Sequence, residues 1–459
     1  MSTFGTIFRV TTFGESHCKG VGCIVDGVPP LLSLTESDIQ PQLTRRRPGQ
    51  SRLTTPREET DRVTILSGTE RGVTLGTPIA LLVPNENVKP GDYSEMDTIP
   101  RPGHADYTYQ VKYGVRASSG GGRSSARETI GRVAAGAIAE KWLVEQFGTR
   151  IVTFVSQAGT VILPRLFERA PNGRPWTRAE VDEGGTLIIL RVVGLSTPDD
   201  ETAFVNQTGA WATDSAPAYE AADGTVYNRS GIHLPGIDAV PLRSSELISL
   251  RCPHGPTAAA MATEIRTVKA ADDSTGGVLT TVITRVPVGL GEPVFDKLEA
   301  KLAHAMLSLP ATKAFEIGDG FAGCAKRGSE HNDPFLPTVT GGNGGGGGGG
   351  GAGEPTLLRT STNHAGGTLG GVSNGADIVF RVAIKPVSTI AQAQRTATYD
   401  GVSAILEAKG RHDPCVLPRA PPLVEAMAAL VLIDAALMQK ARAGVVHPSP
   451  YDDEEKSTY

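Results

Sequence analysis

The 459-residue sequence predicts an α+β protein, because helical and extended patterns alternate while hairpin-like turns outnumber strand–helix–strand units. A G-x-G-x-x-G motif between a strand and a helix, the signature of a dinucleotide-binding parallel sheet, does not occur in it. The composition, 39% hydrophobic and 20% charged, is typical of a globular chain that buries a large core. These three observations favour an α+β fold over a doubly wound parallel sheet.

The first 150 residues contain several predicted strands and two predicted helices. Extended patterns cover residues 6–12, 21–25, 63–66 and 78–83, and a short helical pattern covers residues 36–44. The clearest helix follows the glycine triplet at residues 120–122. Ser125 and Glu128 have the spacing of a capping box, and apolar residues then recur at helical spacing. This pattern predicts a helix that ends at about Phe147.

The rest of the sequence continues the alternation around one long insertion. Helical patterns cover residues 256–270 and 293–307, and extended patterns cover residues 278–288 and 376–385. A long Ala- and Leu-rich helix over residues 422–442 is entered through a Pro-Pro pair. We therefore expect one domain over residues 1–445, with an insertion at about 160–250, a Gly-rich loop at 340–355 and a polar, disordered tail at 446–459.

Charge and cysteine content exclude several classes of protein. A net charge of −5 and an aromatic content of 5% argue against nucleic acid and anionic membranes as partners. No apolar run reaches the ~18 residues that would cross a bilayer. The five cysteines are widely scattered, so the sequence predicts neither a disulfide framework nor a metal site. The N-terminus resembles no targeting segment, and cytoplasmic residence is the expectation.

Three short segments place titratable groups beside Gly or Pro, where a bent backbone turns side chains toward a cleft. They contain His17, His104 and Asp413, which are candidates for proton transfer. Each residue also has a purely structural interpretation. Either histidine could be an ordinary turn residue, and Asp413 could simply neutralise Arg411.

Arginines and hydroxyls indicate that an anion is bound. Residues 45–57 hold five arginines and no lysine, which favours forked recognition of carboxylate or phosphate, although a solvated basic face or an RNA-binding patch would look similar. Arg123 and Arg127 flank two serines at a predicted helix N-terminus, which suits an anion or a well-capped helix. Lys385–Thr389 end a predicted strand with an ammonium and two hydroxyls, which also suits a phosphate.

Taken in order, the segments at 14–17, 45–52, 101–106, 123–136, 361–375 and 410–434 resemble the chorismate synthase family over nearly the whole chain. The resemblance implies a lyase that converts 5-enolpyruvylshikimate-3-phosphate to chorismate and phosphate by anti 1,4-elimination. It also implies a requirement for reduced FMN, a β-α-β sandwich with central helices between antiparallel sheets, and a homotetramer.

The resemblance also assigns roles to individual positions. His17 resembles the acid that protonates the departing phosphate, His104 the group that protonates or stabilises reduced flavin near N1, and Asp413 the carboxylate that works with flavin N5 as the C6 proton is removed. Positions that resemble flavin contacts are Arg123, Ser124, Ser125, Pro310, Ala311, Gly370, Lys385, Pro386, Val387, Ser388, Thr389 and Arg411. Positions that resemble substrate contacts are Ser16, Arg46 or Arg47, Arg52, Arg101 and Arg127.

Two departures from the family pattern stand out. Cys18 replaces a usual glycine, and Pro310 replaces a frequent asparagine. The insertion and the glycine run at 344–351 resemble those of fungal members, which implies that the protein also reduces its flavin with NADPH. No nucleotide motif in the sequence shows that activity. A flavin reductase and a basic-loop RNA-binding protein remain the competing hypotheses.

Overall fold

A computed structural model describes residues 2–55, 57–87, 95–117, 120–170, 173–183, 219–220, 226–227, 244–337, 356–408 and 412–451. The described part of the chain forms two five-stranded antiparallel sheets with long helices between them. Most of the predicted insertion and the whole Gly-rich loop at 340–355 lie outside the described residues. The prediction of one domain over residues 1–445 therefore stays a prediction.

The first sheet has the strand order β1-β2-β3-β7-β4. Its strands are β1 (Thr3–Phe4), β2 (Arg9–Phe13), β3 (Gly20–Asp26), β4 (Thr64–Ile65) and β7 (Ile79–Pro84). Between β4 and β7 in the chain, β5 (Thr69–Glu70) and β6 (Val73–Thr74) form a small separate hairpin. Alternate residues of β7 are buried, which places one face of this sheet against the helices.

The second sheet has the order β13-β16-β12-β8-β9. Its strands are β8 (Arg150–Ala158), β9 (Val161–Ile162), β12 (Gly277–Thr284), β13 (Thr312–Ile317) and β16 (Ile378–Ile384). The remaining strands form three separate hairpins: β10 (Tyr219–Glu220) with β11 (Val226–Tyr227), β14 (Thr368–Leu369) with β15 (Val372–Ser373), and β17 (Gln394–Ala397) with β18 (Ser403–Leu406).

Ten helices lie in the described part of the chain. They are α1 (Glu36–Arg46), α2 (Asp106–Tyr113), α3 (Thr129–Phe147), α4 (Arg178–Asp182), α5 (Ser244–Leu250), α6 (Gly255–Ala270), α7 (Leu298–Leu307), α8 (Gly320–Gly323), α9 (Gly328–His331) and α10 (Pro421–Ala443). Helix α3 packs on the first sheet, α10 packs on the second, and the two helices pack on each other. Gly136 permits this close approach, because a Cβ there would lie 2.4 Å from the Cβ of Ala426.

The α+β prediction and the sandwich that the family resemblance implies are both confirmed. The end of α3 at Phe147 is also confirmed, but the capping box is wrong. Ser125 Oγ accepts a hydrogen bond from the Arg127 N–H at 3.3 Å, which begins a short 3₁₀ turn, Ala126–Glu128. The Glu128 carboxylate instead pairs with Arg132, 2.9 Å away and one helical turn on, so it is not available to cap the helix.

Helix α10 differs from expectation in one respect. By length and composition it could cross a membrane, although the sequence suggested no such run. Its most apolar window is 72% buried inside the protein, as expected for a core helix. Two of its carboxylates make internal contacts: Asp434 accepts hydrogen bonds from the backbone of residues 6–8, and Glu425 binds Arg45.

Residues 447–451, which the sequence predicted to belong to a disordered tail, contact the rest of the protein. His447 pairs with Val288 through the backbone, and the Tyr451 hydroxyl accepts a hydrogen bond from the Thr360 N–H at 2.7 Å. Ser449 also donates to the Gly375 carbonyl at 2.7 Å. Residues 452–459 lie outside the described residues.

Candidate active site

A cavity of about 1220 Å³ lies where several element ends meet. Its walls come from the turn after β2, the last residue of α1, the turns before α3, the residues that follow β16 and the segment 412–419. His17, His104 and Asp413 all line it, although they are distant in sequence. The volume exceeds the ~300–1,000 Å³ typical of a site for one small ligand.

His17 is fixed by its neighbours on both sides. The turn that carries it begins at Gly14, whose φ of +89° suits glycine. Ser16 Oγ lies 2.9 Å from His17 Nδ1, so the two side chains share a hydrogen bond. Across the cavity wall, Gly120 packs so closely that a Cβ there would lie 2.6 Å from the His17 ring. The imidazole thus has one preferred place.

We expect a Gly120→Ala substitution to lower turnover at least ~10-fold, because the new methyl displaces the His17 ring and a φ of +64° strains alanine. Gly72→Ala is the matched control. Gly72 has a φ of +78° with open space around it, so it adds strain without a contact. Steady-state kinetics and circular dichroism of both variants test the expectation, and equal activities would contradict it.

His104 belongs to a hydrogen-bonded group with Arg101 and Asp106. Its Nδ1 lies 2.8 Å from Asp106 Oδ1 and 3.0 Å from Arg101 Nη2. Arg101 donates to both carboxylate oxygens of Asp106, at 2.7 and 2.8 Å. Burial alone would raise the pKa of Asp106, but hydrogen bonds from Arg101 and His104 outweigh it and hold that pKa well below its usual range.

Asp413 is held by a backbone group and faces a cation. Its Oδ1 accepts a hydrogen bond from the Thr55 N–H at 3.0 Å, and its Oδ2 lies 3.5 Å from Arg419 Nη1. The side chain is 12% exposed, so it can reach the cavity while most of it is shielded. Arg411, its predicted partner, lies outside the described residues.

Four arginines converge on one wall: Arg46, Arg57, Arg127 and Arg419. Burial and then the three other guanidinium groups lower the pKa of Arg46 to about 9, although Asp61 acts in the opposite direction. Its Nη1 has no hydrogen-bond partner among the described residues and lies 3.5 Å from Asp61 Oδ2. A buried excess of positive charge with an unused donor favours an anionic ligand.

Two of the predicted substrate arginines have their donors occupied by the protein. Arg127 donates to Asp61 Oδ1 and Asn85 Oδ1, both at 2.6 Å, and is 3% exposed. Arg101 is occupied by Asp106 and, at 3.4 Å, by Thr389 Oγ1. Both line the cavity, but these contacts make them supports for other groups rather than free donors.

Most of the predicted flavin positions form a second wall of the same cavity. Lys385 Nζ donates to the Gly103 carbonyl at 2.6 Å and contacts Ser388 Oγ, which donates to the same carbonyl at 2.8 Å. Burial, and then the charge of Lys313, lower the pKa of Lys385. Ala311 has a φ of +67°, an unusual value for a residue with a Cβ. Also on this wall are Ser124, Ser125, Pro310, Pro386, Val387 and Thr389.

Arg123 anchors the same wall to the first sheet. Its Nη2 donates to Thr12 Oγ1 at 2.7 Å, and its Nη1 donates to the Gly14 carbonyl at 3.1 Å. These bonds tie the turn before α3 to the end of β2. Ser124 Oγ donates to the Gly121 carbonyl at 2.7 Å, which closes the same turn.

Some predicted positions do not line the cavity within this single chain. Arg47 and Arg52 are exposed, and Gly370 lies in the β14–β15 turn with no atom near its would-be side chain. These assignments stay predictions. The structure adds Arg57 and Arg419, of which sequence reasoning noted the first only as part of the basic loop and missed the second. The position of Arg419 just before the Pro-Pro entry to α10 was the available signal.

Known proteins resemble this chain over most of its length. The family model described as chorismate synthase matches residues 8–437. The chorismate synthase of Schizosaccharomyces pombe is 52% identical over 442 residues, which cover 96% of this chain and 97% of that protein. The Saccharomyces cerevisiae enzyme is 51% identical, with 97% and 100% covered. A crystal structure of a chorismate synthase matches with a TM-score of 0.60 at 27% identity, over 95% of this chain and 93% of that one.

The match spans both sheets except β1, helix α3, most of α10 and every cavity-lining residue except Ser2. Its extent excludes a shared fragment as the source of the similarity. The chain belongs to the chorismate synthase family, and it is a carbon–oxygen lyase of the shikimate pathway.

Proposed function

We propose that the cavity carries out the anti 1,4-elimination of phosphate from 5-enolpyruvylshikimate-3-phosphate with reduced FMN bound beside it. The single observation that supports this most is the convergence of His17, His104, Asp413 and the arginine wall on one cavity. The substrate carries two carboxylates and a phosphate. An arginine-rich wall in a chain of net charge −5 suits such a ligand.

The arginine wall binds and orients the substrate anions. Arg46 contributes an unused buried donor, and Arg57 and Arg419 add charge beside it. Holding the anions in one orientation fixes which face of the ring each proton-transfer group can reach. Positive charge near the leaving phosphate also stabilises the charge that develops on it as the C–O bond breaks.

His17 donates a proton to the departing phosphate, and Asp413 accepts the proton that leaves C6. The first role suits the imidazole of His17, which Ser16 and Gly120 hold in one orientation. A general acid must stay within hydrogen-bond reach of the group that it protonates. The second suits a carboxylate held by the Thr55 N–H, which leaves further lone pairs available. His104 exchanges a proton at the flavin side of the cavity.

The residues present fit a flavin mononucleotide. Backbone at Gly120 and Gly121 lies where added side chains would meet His17, Ser124 and His104, so the wall is built for close approach. Hydroxyls and the Lys385 ammonium supply donors for a phosphate, and the cavity is large enough for a second ligand. Reduced FMN supplies electron density to the ring that becomes electron-deficient during elimination.

The direct test is anaerobic incubation of the protein with dithionite-reduced FMN and 5-enolpyruvylshikimate-3-phosphate. We expect a new diene absorbance and the release of one inorganic phosphate for each diene product formed. Neither change should occur when FMN is omitted. Phosphate release without flavin, or no release at all, would refute the proposal.

Arg57 offers a test of the arginine wall. Arg57 Nε and Nη2 donate to Glu59, so Arg57→Gln removes a positive charge from the wall rather than a free donor. We expect it to raise KM for the substrate about 10-fold, which is about 1.4 kcal/mol, with a smaller change in kcat. Arg9→Gln is the control, since Arg9 pairs with Asp26 on the surface. Identical KM values for both variants would place the substrate elsewhere.

NADPH-dependent flavin reduction stays a prediction from the resemblance to fungal members. Incubation with NADPH and oxidised FMN in air, without another reductant, tests it, and oxidation of NADPH is the expected result. If NADPH is not oxidised, the protein is a lyase without reductase activity. The RNA-binding alternative has less support, because Arg45, Arg46 and Arg57 of the basic loop are turned inward. A salt-dependent fluorescence anisotropy signal with RNA would revive it.

We further propose a homotetramer that resides in the cytoplasm, on the strength of the family resemblance. Supporting features are Val294 and Phe295, which are 67% and 90% exposed. The segment that carries them is hydrogen-bonded to the β14–β15 turn, where Leu298 N–H donates to the Gly371 carbonyl at 2.8 Å. Light scattering measures the assembly. A tomato relative carries the word "chloroplastic" in its name, so localisation of this protein needs its own measurement by fluorescence microscopy.

A further inference from the structure

A buried carboxylate that the proposed reaction does not use lies directly behind His104. Asp106, the first residue of α2, is 5% exposed. Its Oδ2 accepts hydrogen bonds from Arg101 Nε at 2.7 Å and from the Arg101 backbone N–H at 3.2 Å. Its Oδ1 accepts from Arg101 Nη2 at 2.8 Å and lies 2.8 Å from His104 Nδ1.

Nδ1 of His104 has two neighbours, Asp106 Oδ1 at 2.8 Å and Arg101 Nη2 at 3.0 Å, so it either donates to the carboxylate or accepts from the guanidinium. A guanidinium can only donate hydrogen bonds, and an ionised carboxylate can only accept them. The first arrangement is favoured, because Arg101 Nη2 already donates to Asp106 Oδ1 at 2.8 Å, and the equally short contact from that oxygen to His104 Nδ1 needs a hydrogen on the ring nitrogen. An unprotonated Nδ1 would set its lone pair against a carboxylate oxygen at 2.8 Å.

Two further features keep Asp106 ionised. Three hydrogen bonds from Arg101 reach its two oxygens, and its position at the N-terminus of α2 places it near the positive end of the helix dipole. The low pKa of Asp106 described above agrees with this charge. The acceptor facing His104 is therefore a carboxylate throughout the neutral pH range.

We propose that Asp106 is a positioning residue that keeps the proton of His104 on Nδ1, so that Nε2 is the ring nitrogen offered to the cavity. The tautomer part of this inference stands on the geometry alone. Its catalytic part rests on the proposed function, because it assigns to Nε2 the proton exchange at the flavin side.

The ion pair between Arg101 and Asp106 could instead serve only to hold the loop before α2 in place. The two roles differ in what they predict for the ring. A purely structural ion pair between Arg101 and Asp106 leaves the tautomer of His104 unspecified, whereas a positioning role specifies it. The discriminating readout is therefore the protonation site of the ring, not activity alone.

Solid-state ¹⁵N spectra of histidine-labelled protein measure that site, with the His104 signals assigned by their loss in His104→Gln. Above the titration range of the ring we expect Nδ1 to carry the hydrogen in the parent protein. In Asp106→Asn, whose amide can donate, we expect the hydrogen to move largely to Nε2. A parent protein with hydrogen on Nε2, or an unchanged tautomer in Asp106→Asn, would overturn the proposal.

Kinetics form the second arm. We expect Asp106→Asn to lower kcat about 10²–10⁴-fold while KM for the substrate changes less than about 3-fold, as expected when a general acid–base group is held in the wrong tautomer. Asp26→Asn, which alters a surface carboxylate paired with Arg9, serves as the control. Normal kcat in folded Asp106→Asn would refute the catalytic part.

The two arms separate failure of this inference from failure of the proposed function. If the parent protein releases no phosphate, the proposed function fails, yet the ¹⁵N spectra still decide the tautomer. If Asp106→Asn does not fold, the spectrum of the parent protein still confirms or excludes hydrogen on Nδ1.

Discussion

Replacing His17, His104 or Asp413 by alanine is expected to lower kcat at least ~10²-fold in each case while the protein still folds and binds flavin. The physical reason is that one positioned acid or base contributes about 10²–10⁴-fold to rate. All three side chains line the same cavity, and none belongs to the apolar core. Anaerobic turnover with reduced FMN, circular dichroism and flavin fluorescence titration measure the three quantities.

His447→Ala is the matched control, because His447 contacts the body of the protein through its backbone and does not line the cavity. We expect that variant to keep normal turnover. Near-normal turnover in all three cavity variants would refute the site assignment. Loss of folding in any of them would mean that the side chain is structural.

Replacing Glu425 by alanine is expected to lower the free energy of unfolding by about 3 kcal/mol, the low end for a broken buried ion pair. The substitution removes one of the two carboxylates that pair with Arg45 and one of the two that pair with Arg178, and leaves Asp182 and Glu140 in place. Glu425 is fully buried in α10 and binds Arg45, and its Oε2 lies 3.2 Å from Arg178 Nη2. It also accepts a hydrogen bond from the Thr153 N–H of β8 at 3.0 Å. The Glu425 carboxylate of α10 therefore connects that helix to α1, α4 and the second sheet.

Urea unfolding of the variant measures this cost, with Glu425→Gln as the matched control. The glutamine keeps an acceptor for Thr153 but removes the charge, so its loss should be smaller. A loss below about 1 kcal/mol in Glu425→Ala would contradict the account.

The same carboxylate predicts a pH dependence. Burial would raise the pKa of Glu425, but Arg178 and Arg45 outweigh burial and lower it below its usual value. A carboxyl with a lowered folded-state pKa stabilises the protein above the unfolded pKa of about 4.3, and this contribution is lost as the pH falls. Acid should therefore destabilise the parent protein more steeply than Glu425→Gln.

The sequence predicted the fold wherever local pattern decides it. The apolar spacing of α3 and the Pro-Pro entry to α10 located both central helices, because each is a long segment with its own start signal. The capping box failed because Glu128 has a better partner in Arg132, and a spacing rule cannot weigh that competition. Helix α2 was missed because its polar sequence has no strong apolar periodicity.

The candidate site shows a similar division. His17, His104 and Asp413 were found through their Gly and Pro neighbours, which mark turns. Sequence alone could not decide which arginines of the basic loop face inward. Helix α1 ends at Arg46, which turns that side chain into the cavity and leaves Arg47 exposed. The arginine wall around Arg46 includes Arg419, which is far away along the chain, and only the fold reveals such a pair.

The central claim is that one cavity holds an anionic cyclohexene against a flavin, with the three proton-transfer groups around both. A crystal structure of the protein with oxidised FMN and 5-enolpyruvylshikimate-3-phosphate tests it most directly. The account predicts the substrate phosphate within hydrogen-bond reach of His17 and the arginine wall, and the flavin between His104 and Asp413. Both ligands bound away from these side chains would contradict it.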